Sequence, residues 1–232
     1  ASGLFLTQIM CKAMNRSLGD ILLGKTSVDK NKTKADIQFV EESTVVETAE
    51  EEVHETEDNS LIIKRDEGKI IRSAKSVIIV PGYGMALAQA QHLVRALSDK
   101  FEENGAEVKF AIHPVAGRMP GHMNVLLAEA DVPYEKLFEM DAVNDEFAET
   151  DVVIVIGAND VINPAARDAK DTPIYGMPVL DVDHAKEIFI CNFDLQPGYA
   201  GVDNPLYKRK EGVYLLLGDA KESISDLIDR FS

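Results

Sequence analysis

Short apolar runs alternate with amphipathic stretches from residue 76 to the end of the chain. The runs are rich in β-branched residues and lie at 77–80, 108–112, 152–156, 179–182, 188–191 and 213–217. Apolar side chains recur at helical spacing over 84–103, 122–130, 134–138, 163–168 and 219–231. Such runs are typical of strands buried in a parallel sheet. The alternation predicts a Rossmann-like α/β fold, with a doubly wound parallel six-stranded sheet and helices on both faces.

The first 75 residues follow other patterns. Residues 1–24 present an apolar surface near Lys12 and Arg16, which fits either an amphipathic helix or the end of a membrane helix with a cationic flank. Residues 25–60 are rich in Lys, Thr and Glu and predict a flexible tether. Residues 61–75 predict a short helix or a strand that approaches the sheet.

The charge of the chain is unevenly distributed. The formal net charge is −16, and residues 41–58 hold nine acids without a Lys or Arg. A block of this kind is typical of a solvated linker, so it says little about the region of alternating runs. No broad basic face is expected, which argues against a nucleic-acid partner.

Cysteine and histidine give no sign of a disulfide or a metal site. Cys11 and Cys191 are far apart in sequence, and no Cys-x-x-Cys pair occurs, which favours two reduced thiols. The five histidines show no metal-ligand spacing. The sequence therefore predicts no bound metal.

Two glycines follow the first apolar run and precede a helical pattern. Without Cβ atoms, the chain at Gly82 and Gly84 can press its amides against a diphosphate, next to the free N–H groups of the helix. Leu87 replaces the third glycine of the dinucleotide fingerprint, a position that sets helix–strand packing. The context of strand, glycine turn and helix favours nucleotide binding, and a tight structural turn is the alternative.

The residues after the other runs are also rich in Gly, Pro, Asn and Asp. In a parallel sheet these loops, at 82–84, 113–121, 157–164, 196–205 and 218–221, lie on one edge, where ligands bind. The second run is followed by His113 and Pro114, where an NAD site would have an acid, and then by Arg118. A cation in that place favours a 2′-phosphate and hence NADP. The alternative for Arg118 is a solvent-facing loop residue.

Asp160 is the candidate catalytic residue. It follows a buried strand, where a carboxylate has low-dielectric surroundings, although an N-cap of the helix that starts near Asn163 is the alternative. No nucleophile–base pair with a known spacing occurs. A cleft without acid–base machinery fits hydride transfer, in which the nicotinamide carries the chemistry.

Several of these loops have long motifs in common with one family. They read Pro-Gly-Tyr-Gly-Met-Ala at 81–86, His-Pro-Val-Ala-Gly-Arg at 113–118, Gly-Ala-Asn-Asp at 157–160, Gly-Tyr-Ala-Gly-Val at 198–202 and Gly-Asp-Ala-Lys at 218–221. Over about residues 70–232 the chain resembles the C-terminal NADP(H)-binding domain III of the β subunit of proton-translocating nicotinamide nucleotide transhydrogenase. Residues 8–17 resemble the end of the family's last transmembrane helix.

The resemblance implies a domain order and an activity. Residues 1–24 would end the last transmembrane helix, 25–69 would form an acidic flexible linker, and 70–232 would form the NADP(H)-binding domain III. The activity would be that of a Re/Si-specific, proton-translocating NAD(P)⁺ transhydrogenase. Hydride would pass between NADP(H) on this domain and NAD(H) on a partner domain I, coupled to proton translocation through membrane domain II.

The resemblance also implies an assembly and a location. The full enzyme would be dimeric and membrane-associated, with this domain on the side of the cytoplasm or the mitochondrial matrix. The chain alone would supply only the NADP(H) site.

The resemblance carries site residues onto this chain by motif. Asp160 would sense the proton, and residues 198–202 would form a lid over the cofactor. The residues expected at the dinucleotide are Gly82, Tyr83, Gly84, Met85, Ala86, Val115, Ala116, Gly117, Arg118, Met119, Gly157, Ala158, Asn159, Asp160, Asn192, Asp194, Gly198, Tyr199, Ala200, Gly201, Val202, Asp203, Asn204, Asp219 and Ala220.

One motif departs from the family. Residues 192–194 read Asn-Phe-Asp where the family has Lys-Arg-Ser, whose cations hold the 2′-phosphate. An acid there repels a phosphate and could accept a hydrogen bond from a 2′-hydroxyl, which would favour NAD. Otherwise Arg118, Lys208, Arg209 or Lys210 supplies the cation. The rest of the pattern favours NADP(H).

Two other functions fit parts of the pattern. The lack of a catalytic dyad suits a module that binds a dinucleotide to sense redox state without catalysis. A soluble dehydrogenase is a further alternative, but the chain has few residues beyond the Rossmann core for a substrate domain.

Overall fold

The structure is a computed structural model that describes residues 66–231. These residues belong to one unit, Leu61–Ser232. The predictions for residues 1–24, and for the linker up to residue 65, lie outside the described residues.

Six parallel strands form a single sheet. They are β1 (Ser76–Pro81), β2 (Glu107–Ile112), β3 (Leu137–Glu139), β4 (Val152–Ile156), β5 (Glu187–Asn192) and β6 (Val213–Leu217). Their order is β3-β2-β1-β4-β5-β6, so the direction of winding reverses between β1 and β4. Val77 on β1 aligns with Val108 on β2 and with Val152 on β4. The predicted six-stranded parallel sheet is confirmed, and such a reversal is where open α/β sheets bind ligands.

Helices and turns connect the strands. The α-helices are α1 (Glu67–Ser73), α2 (Tyr83–Ala88), α3 (Gln91–Glu103), α4 (His122–Glu129), α5 (Met140–Val143), α6 (Ala165–Asp168) and α7 (Ala220–Asp229). Short 3₁₀ turns lie at Tyr134–Lys136, Asn144–Glu149, Asp160–Ile162, Val182–His184 and Pro205–Lys208. Asp66 caps α1 by accepting a hydrogen bond from the Lys69 amide, so this helix begins inside the stretch assigned to the linker.

Alternating strand residues build a separate core on each face of the sheet. Ile79 and Ile154 pack with residues of α3, α4 and α7 on one face. Ile78 and Val153 pack on the other face, where the cover comes from α5 and from 3₁₀ turns such as the one that holds Phe147. The sheet is buried on both sides, as the near-continuous apolar runs predict.

One predicted strand is wrong. Residues 179–182 do not pair with the sheet, and the third strand is β3 instead, in a stretch predicted as the helix 134–138. Leu180 and Val182 are fully buried against the second core, which explains their apolar pattern. β3 is an edge strand of three residues, too short to show a period of two.

The predicted helix 84–103 is two helices. Gln89 adopts a left-handed conformation (φ 50°) at the end of α2, and its amide donates to the Ala86 carbonyl. Ala90 is fully buried directly after this break, so α3 starts in a new direction against the core. The predicted helices 122–130, 163–168 and 219–231 correspond to α4, α6 and α7 with shorter bounds.

Candidate functional site

The loops that follow β1, β2, β4, β5 and β6 lie at the carboxyl edge of the sheet. Two neighbouring pockets open there, and Gly157, directly after β4, lines both of them. The prediction that these loops share one edge is therefore confirmed.

Three glycines allow backbone contact between the loop that follows β1 and the loop that follows β4. A Cβ on Gly82 would lie 2.3 Å from the Gly157 carbonyl oxygen, and one on Gly84 would lie 2.6 Å from the Gly157 Cα. The Gly82 amide donates to the Ile156 carbonyl (2.8 Å), and the Gly84 amide donates to the Gly157 carbonyl (2.9 Å). The expectation that these two amides face a diphosphate needs correction, because both already have protein acceptors. The close approach that the glycines permit is between two protein segments.

The first pocket, which we name the Arg118 pocket, encloses about 230 Å³ between the loops after β1, β2 and β4. The Arg118 guanidinium lies over the Tyr83 ring, 4.0 Å from its centroid. Such stacking orients a guanidinium while leaving its N–H groups available to an anion. The pocket is lined by Gly82, Tyr83, Val115, Ala116, Gly117, Arg118, Gly157, Ala158, Asn159, Asp160, Val161, Gly198 and Tyr199.

Two histidines fix the loop that carries Arg118. His113 is buried, with Nδ1 accepting from the Val115 amide (3.2 Å) and Nε2 lying 2.8 Å from the Pro178 carbonyl oxygen. Burial lowers the pKa of His113, against the opposing effect of the Pro178 hydrogen bond. His122 Nδ1 accepts from the Arg118 amide (3.1 Å). Each imidazole thus accepts one backbone amide of this loop, that of Val115 for His113 and that of Arg118 for His122.

Asp160 connects the loop after β4 to residues 194–204, which include the predicted lid 198–202 and which we name the lid segment. Its Oδ2 accepts from the Ala200 amide (2.9 Å), whereas its Oδ1 is buried without a partner. A Cβ on Gly198 would lie 2.5 Å from that Oδ1, so this glycine permits the contact. The N-cap alternative for Asp160 is wrong, since Asn163 Oδ1 accepts from the Ala165 amide at the start of α6.

Asparagine side chains hold the base of the lid segment. Asn192 is buried, and its Nδ2 donates to the Ala158 carbonyl (3.0 Å) and to Tyr207 Oη (2.9 Å). Burial raises the pKa of the Tyr207 phenol to about 12. Asn204 Nδ2 donates to Asn159 Oδ1 (3.2 Å), and Asn159 Nδ2 donates to the Gln196 carbonyl (2.9 Å).

The second pocket, which we name the Phe193 slot, encloses about 220 Å³ between the loops after β1, β4, β5 and β6. Leu87 and Phe193 present most of their side chains to solvent, with exposed fractions of 68% and 80%. Cys191 is buried, and burial raises the pKa of its thiol to about 12, which favours the protonated thiol at neutral pH. The slot is lined by Gly84, Leu87, Ala88, Gly157, Cys191, Phe193, Gly218, Asp219 and Ala220.

Some predicted site residues line neither pocket. Met85 is fully buried and packs its side chain from α2 into the first core, so its assignment as a lining residue needs correction. Asn192 and Asn204 are buried and serve the hydrogen bonds given above. The remaining predicted residues outside both linings are Ala86, Met119, Asp194, Ala200, Gly201, Val202 and Asp203.

The structure gives contacts for three of the four cations proposed to replace the missing Lys and Arg, namely Arg118, Lys208 and Arg209. Lys208 Nζ lies 3.3 Å from Asp203 Oδ2, and Arg209 donates to the carbonyls of Asp183 and Glu211. Arg118 lines its own pocket and not the Phe193 slot. Among these three side chains, only Arg118 lines a pocket at this edge.

Sequence reasoning did not assign Leu87 or Phe193 to a binding surface. Leu87 stands in place of a fingerprint glycine, and Phe193 directly follows β5 at the carboxyl edge. A large apolar residue at each of these two positions was the sequence signal that could have indicated an apolar binding surface.

No helix within residues 66–231 is long and apolar enough to cross a membrane. In the same residues, no group of three or more His, Cys, Asp or Glu side chains is arranged to hold a metal ion.

The strand order and the pair of pockets at the switch point define a Rossmann-like α/β domain with an open cleft at its carboxyl edge. The family profile described as NAD(P) transhydrogenase beta subunit matches residues 1–230. The chain belongs to this family.

Similarity to individual proteins agrees with the family. NAD(P) transhydrogenase subunit beta of Rhodospirillum rubrum is 45% identical over 228 residues, which cover 98% of this chain and 46% of that protein. The same subunit from a named strain of that species matches equally well. The chain thus spans about half the length of these relatives. An exopolyphosphatase-related protein from Bacteroides fragilis has a TM-score of 0.35 and 16% identity, covering 71% of this chain and 42% of its own. This last likeness is too weak to carry an argument.

Proposed function

We propose that this chain supplies the NADP(H) site of a proton-translocating transhydrogenase. Hydride passes between NADP(H) held in this cleft and NAD(H) held on a partner domain I, and the exchange is coupled to proton movement through membrane domain II. The observation that carries the proposal is the pair of adjoining pockets that share Gly157 at the switch point of the sheet. The domain order 1–24, 25–69 and 70–232, the dimeric assembly and the membrane association belong to the same proposal.

The residues present fit a dinucleotide. Arg118 offers a guanidinium that Tyr83 holds by stacking, which suits a phosphate group. The buried Oδ1 of Asp160 has no partner and can accept a hydrogen bond from a ligand amide. The Phe193 slot offers apolar walls to a flat base. When bound, the nicotinamide supplies the hydride chemistry, and the chain supplies binding and orientation.

Asp160 is the residue through which proton movement would affect the nucleotide. Its Oδ2 holds the Ala200 amide of the lid segment, and its Oδ1 faces Gly198. Protonation of this carboxylate removes the charge from that hydrogen bond and weakens it, because bonds to ionised acceptors are the stronger ones. A looser lid segment releases the nucleotide. The carboxylate is thus a proton-sensitive link between the two loops.

The test is a transfer assay with a partner. The chain is mixed with a domain I protein, NADPH and an oxidised NAD analogue, and hydride transfer is followed by absorbance. We expect rapid transfer that requires both proteins. Binding of NADPH without accelerated transfer would favour the redox-sensing alternative, and failure of folded chain to bind NADPH would contradict the proposal.

A pair of variants tests the role of Asp160. Asp160→Asn keeps an acceptor for the Ala200 amide but removes the titratable group. We expect NADPH release from Asp160→Asn to lose the pH dependence of the parent chain. Asp203→Asn is the matched control, since Asp203 is also in the lid region but pairs with exposed Lys208.

A further inference from the structure

The strand β6 forms one edge of the sheet. It pairs with β5 on one side, and no strand of the described residues pairs with it on the other. The Ile188 amide on β5 donates to the carbonyl of Gly212, the residue directly before β6 (2.7 Å). Because successive residues of a strand direct their backbone groups to opposite sides, the N–H and C=O groups that face away from β5 are those of Val213, Leu215 and Leu217.

This edge lacks the features by which proteins protect an edge strand. β6 reads Val-Tyr-Leu-Leu-Leu, with no charged residue and no proline. Leu215 and Leu217 are exposed, with exposed fractions of 37% and 52%. An apolar edge of this kind pairs readily with an extended segment that reaches it. We therefore expect β6 to be covered by a further strand.

A groove of about 440 Å³ follows the same edge, and we name it the edge groove. Glu222, Asp226 and Arg230 are spaced four residues apart and form the wall that α7 contributes. Arg230 forms ion pairs with both Glu67 and Asp226, so the three acids of the groove face one cation. The edge groove is lined by Glu67, Tyr214, Leu215, Leu216, Leu217, Gly218, Glu222, Ser223, Asp226 and Arg230.

The chain enters the described structure at this groove. Asp66 has an extended backbone (φ −71°, ψ 95°), and the next residue, Glu67, lines the groove. α7 starts beside the carboxyl end of β6 and runs about 15 Å back along it to Arg230, the partner of Glu67. Glu67 is therefore near the amino end of β6. A segment that reaches Asp66 along the groove runs antiparallel to β6.

Residues 61–65 match the edge groove in length, polarity and charge. They read Leu-Ile-Ile-Lys-Arg and directly precede Asp66. Five extended residues span about 17 Å, which is the length of a five-residue strand such as β6. Three large apolar residues suit the exposed leucines of the edge, and β-branched isoleucine favours a strand. Lys64 and Arg65 complement the excess of acids in the groove.

We propose that residues 61–65 lie in the edge groove as a seventh strand, antiparallel to β6. Their backbone pairs with the outward N–H and C=O groups of Val213, Leu215 and Leu217. An antiparallel strand at the edge of an otherwise parallel sheet is a common arrangement. Gly218 lines both the edge groove and the Phe193 slot, so the chain that precedes residue 61 leaves the groove beside that slot.

The first test is residue-resolved hydrogen exchange of the whole chain at two protein concentrations. We expect slow exchange at the amides of Leu215 and Leu217 and at alternate residues of 61–65, to the same extent at both concentrations. Fast exchange at both leucine amides would overturn the proposal. Protection that grows with protein concentration would assign the edge to a second copy of the chain, and would overturn it as well.

Two proline variants test the backbone pairing. Adjacent residues of a strand direct their amides to opposite sides, so only one of Ile62 and Ile63 donates to β6. We expect one of Ile62→Pro and Ile63→Pro to speed exchange at Leu215 and Leu217 by about tenfold or more. The other variant should have little effect, because proline is tolerated where the N–H would face solvent.

Val46→Pro is the matched control, since it introduces a proline outside the proposed strand. It should leave exchange at Leu215 and Leu217 unchanged. Slow exchange at the β4 amides shows that each variant is folded, and if one is not, the exchange of the parent chain still decides the proposal. Equal effects of Ile62→Pro and Ile63→Pro would contradict strand pairing.

Charge reversal tests the match to the acids of the groove. The double variant Lys64→Glu, Arg65→Glu should speed exchange at the Leu215 and Leu217 amides by about threefold to tenfold, because the groove then repels the segment. The double variant Lys30→Glu, Lys32→Glu makes the same change in net charge outside the segment, and we expect no effect. Equal effects of the two double variants would contradict docking of residues 61–65.

Discussion

The Arg118 pocket and the Phe193 slot lie on either side of Gly157 and differ in the groups that a ligand meets. The Arg118 pocket contains a stacked guanidinium, a buried carboxylate oxygen without a partner and loops fixed by side-chain hydrogen bonds. The slot contains apolar walls and a carboxylate that caps a helix. Both are built at the ends of parallel strands of one sheet. The difference shows that the fold fixes where a ligand binds, whereas the few residues after each strand decide which ligand groups are accepted.

The largest effect is expected from the residue that the two pockets share. Gly157→Ala puts a Cβ 2.3 Å from the Gly84 Cα at a position with φ +64°, so the two loops must separate. We expect the free energy of unfolding to fall by about 3 kcal/mol or more and nucleotide binding to be lost. Urea unfolding and calorimetric titration measure the two effects.

Gly176→Ala is the matched control for this change. Gly176 also has a positive φ (+80°), but a Cβ there has no heavy atom within 4 Å. Gly176→Ala should lower the free energy of unfolding only through backbone strain, by about 1–2 kcal/mol. Equal losses for the two variants would mean that the contact between the loops is unimportant.

The next effect separates the two pockets by their response to salt. Arg118→Met should weaken NADP⁺ binding by about tenfold to hundredfold and flatten its salt dependence, because a charge-assisted contact to a phosphate is lost. Phe193→Ala should weaken binding by a similar or smaller factor but keep the salt dependence of the parent. Both variants are titrated with NADP⁺ at low and at high salt. If both lost the salt dependence, the two pockets would not differ in charge as we propose.

A smaller effect concerns the lid segment. Asp160→Ala removes the acceptor of the Ala200 amide, and we expect the dissociation rate of NADPH to rise about fivefold to tenfold. Asn163→Ala perturbs the same lid region through the weaker 3.3 Å hydrogen bond to the Asp203 carbonyl, but does not touch the pocket. Stopped-flow displacement measures both rates. A larger effect of Asn163→Ala would show that Asp160 does not hold the lid segment.

The smallest effect is a pH dependence of the free energy of unfolding, caused by His113 next to the Arg118 pocket. The pKa of His113 is lowered in the folded chain by burial, so the unfolded chain binds a proton first as the pH falls. The stability that is present above the pKa of His113 in the unfolded chain, about 6.5, is therefore lost as the pH drops below that pKa. Unfolding at about pH 7.5 and about pH 5.5 should reveal this loss.

His113→Gln tests the origin of that loss. In this variant the free energy of unfolding should differ less between the two pH values than in the parent. The free energy of unfolding should also fall by about 1–3 kcal/mol at both pH values, because the hydrogen bonds to Val115 and Pro178 are lost. His92→Gln, on the exposed face of α3, is expected to keep the difference of the parent. A difference that persists in His113→Gln would assign the acid sensitivity to another group.

Much of the fold could be predicted from the apolar runs, because strands buried on both faces leave an unmistakable pattern. The failures have local causes. Leu180 and Val182 are apolar because they pack in the second core, and burial without strand pairing looks the same in sequence as a strand. β3 has only three residues, so its period is hidden. The break at Gln89 has no sequence signal, since a Gln in the left-handed region is unusual.

The candidate site could be predicted in position but not in detail. Parallel strands bring their following loops to one edge, so the prediction of a cleft needed only the strands. Which side chains line it depends on contacts between distant segments. Gly82 and Gly84 serve the approach of Gly157, and Met85 turns into the core, which no local pattern reveals. The same holds for Phe193, whose exposure depends on the course of the chain after β5.

The most direct test of the account is hydrogen exchange of the whole chain with and without NADPH. One nucleotide across both pockets predicts that two sets of amides become protected together, with one common midpoint in NADPH concentration. The sets are 115–118 and 198–199, which line the Arg118 pocket, and 193 and 218–220, which line the Phe193 slot. Protection confined to one pocket, or separate midpoints for the two, would contradict a single dinucleotide site at the carboxyl edge of the sheet.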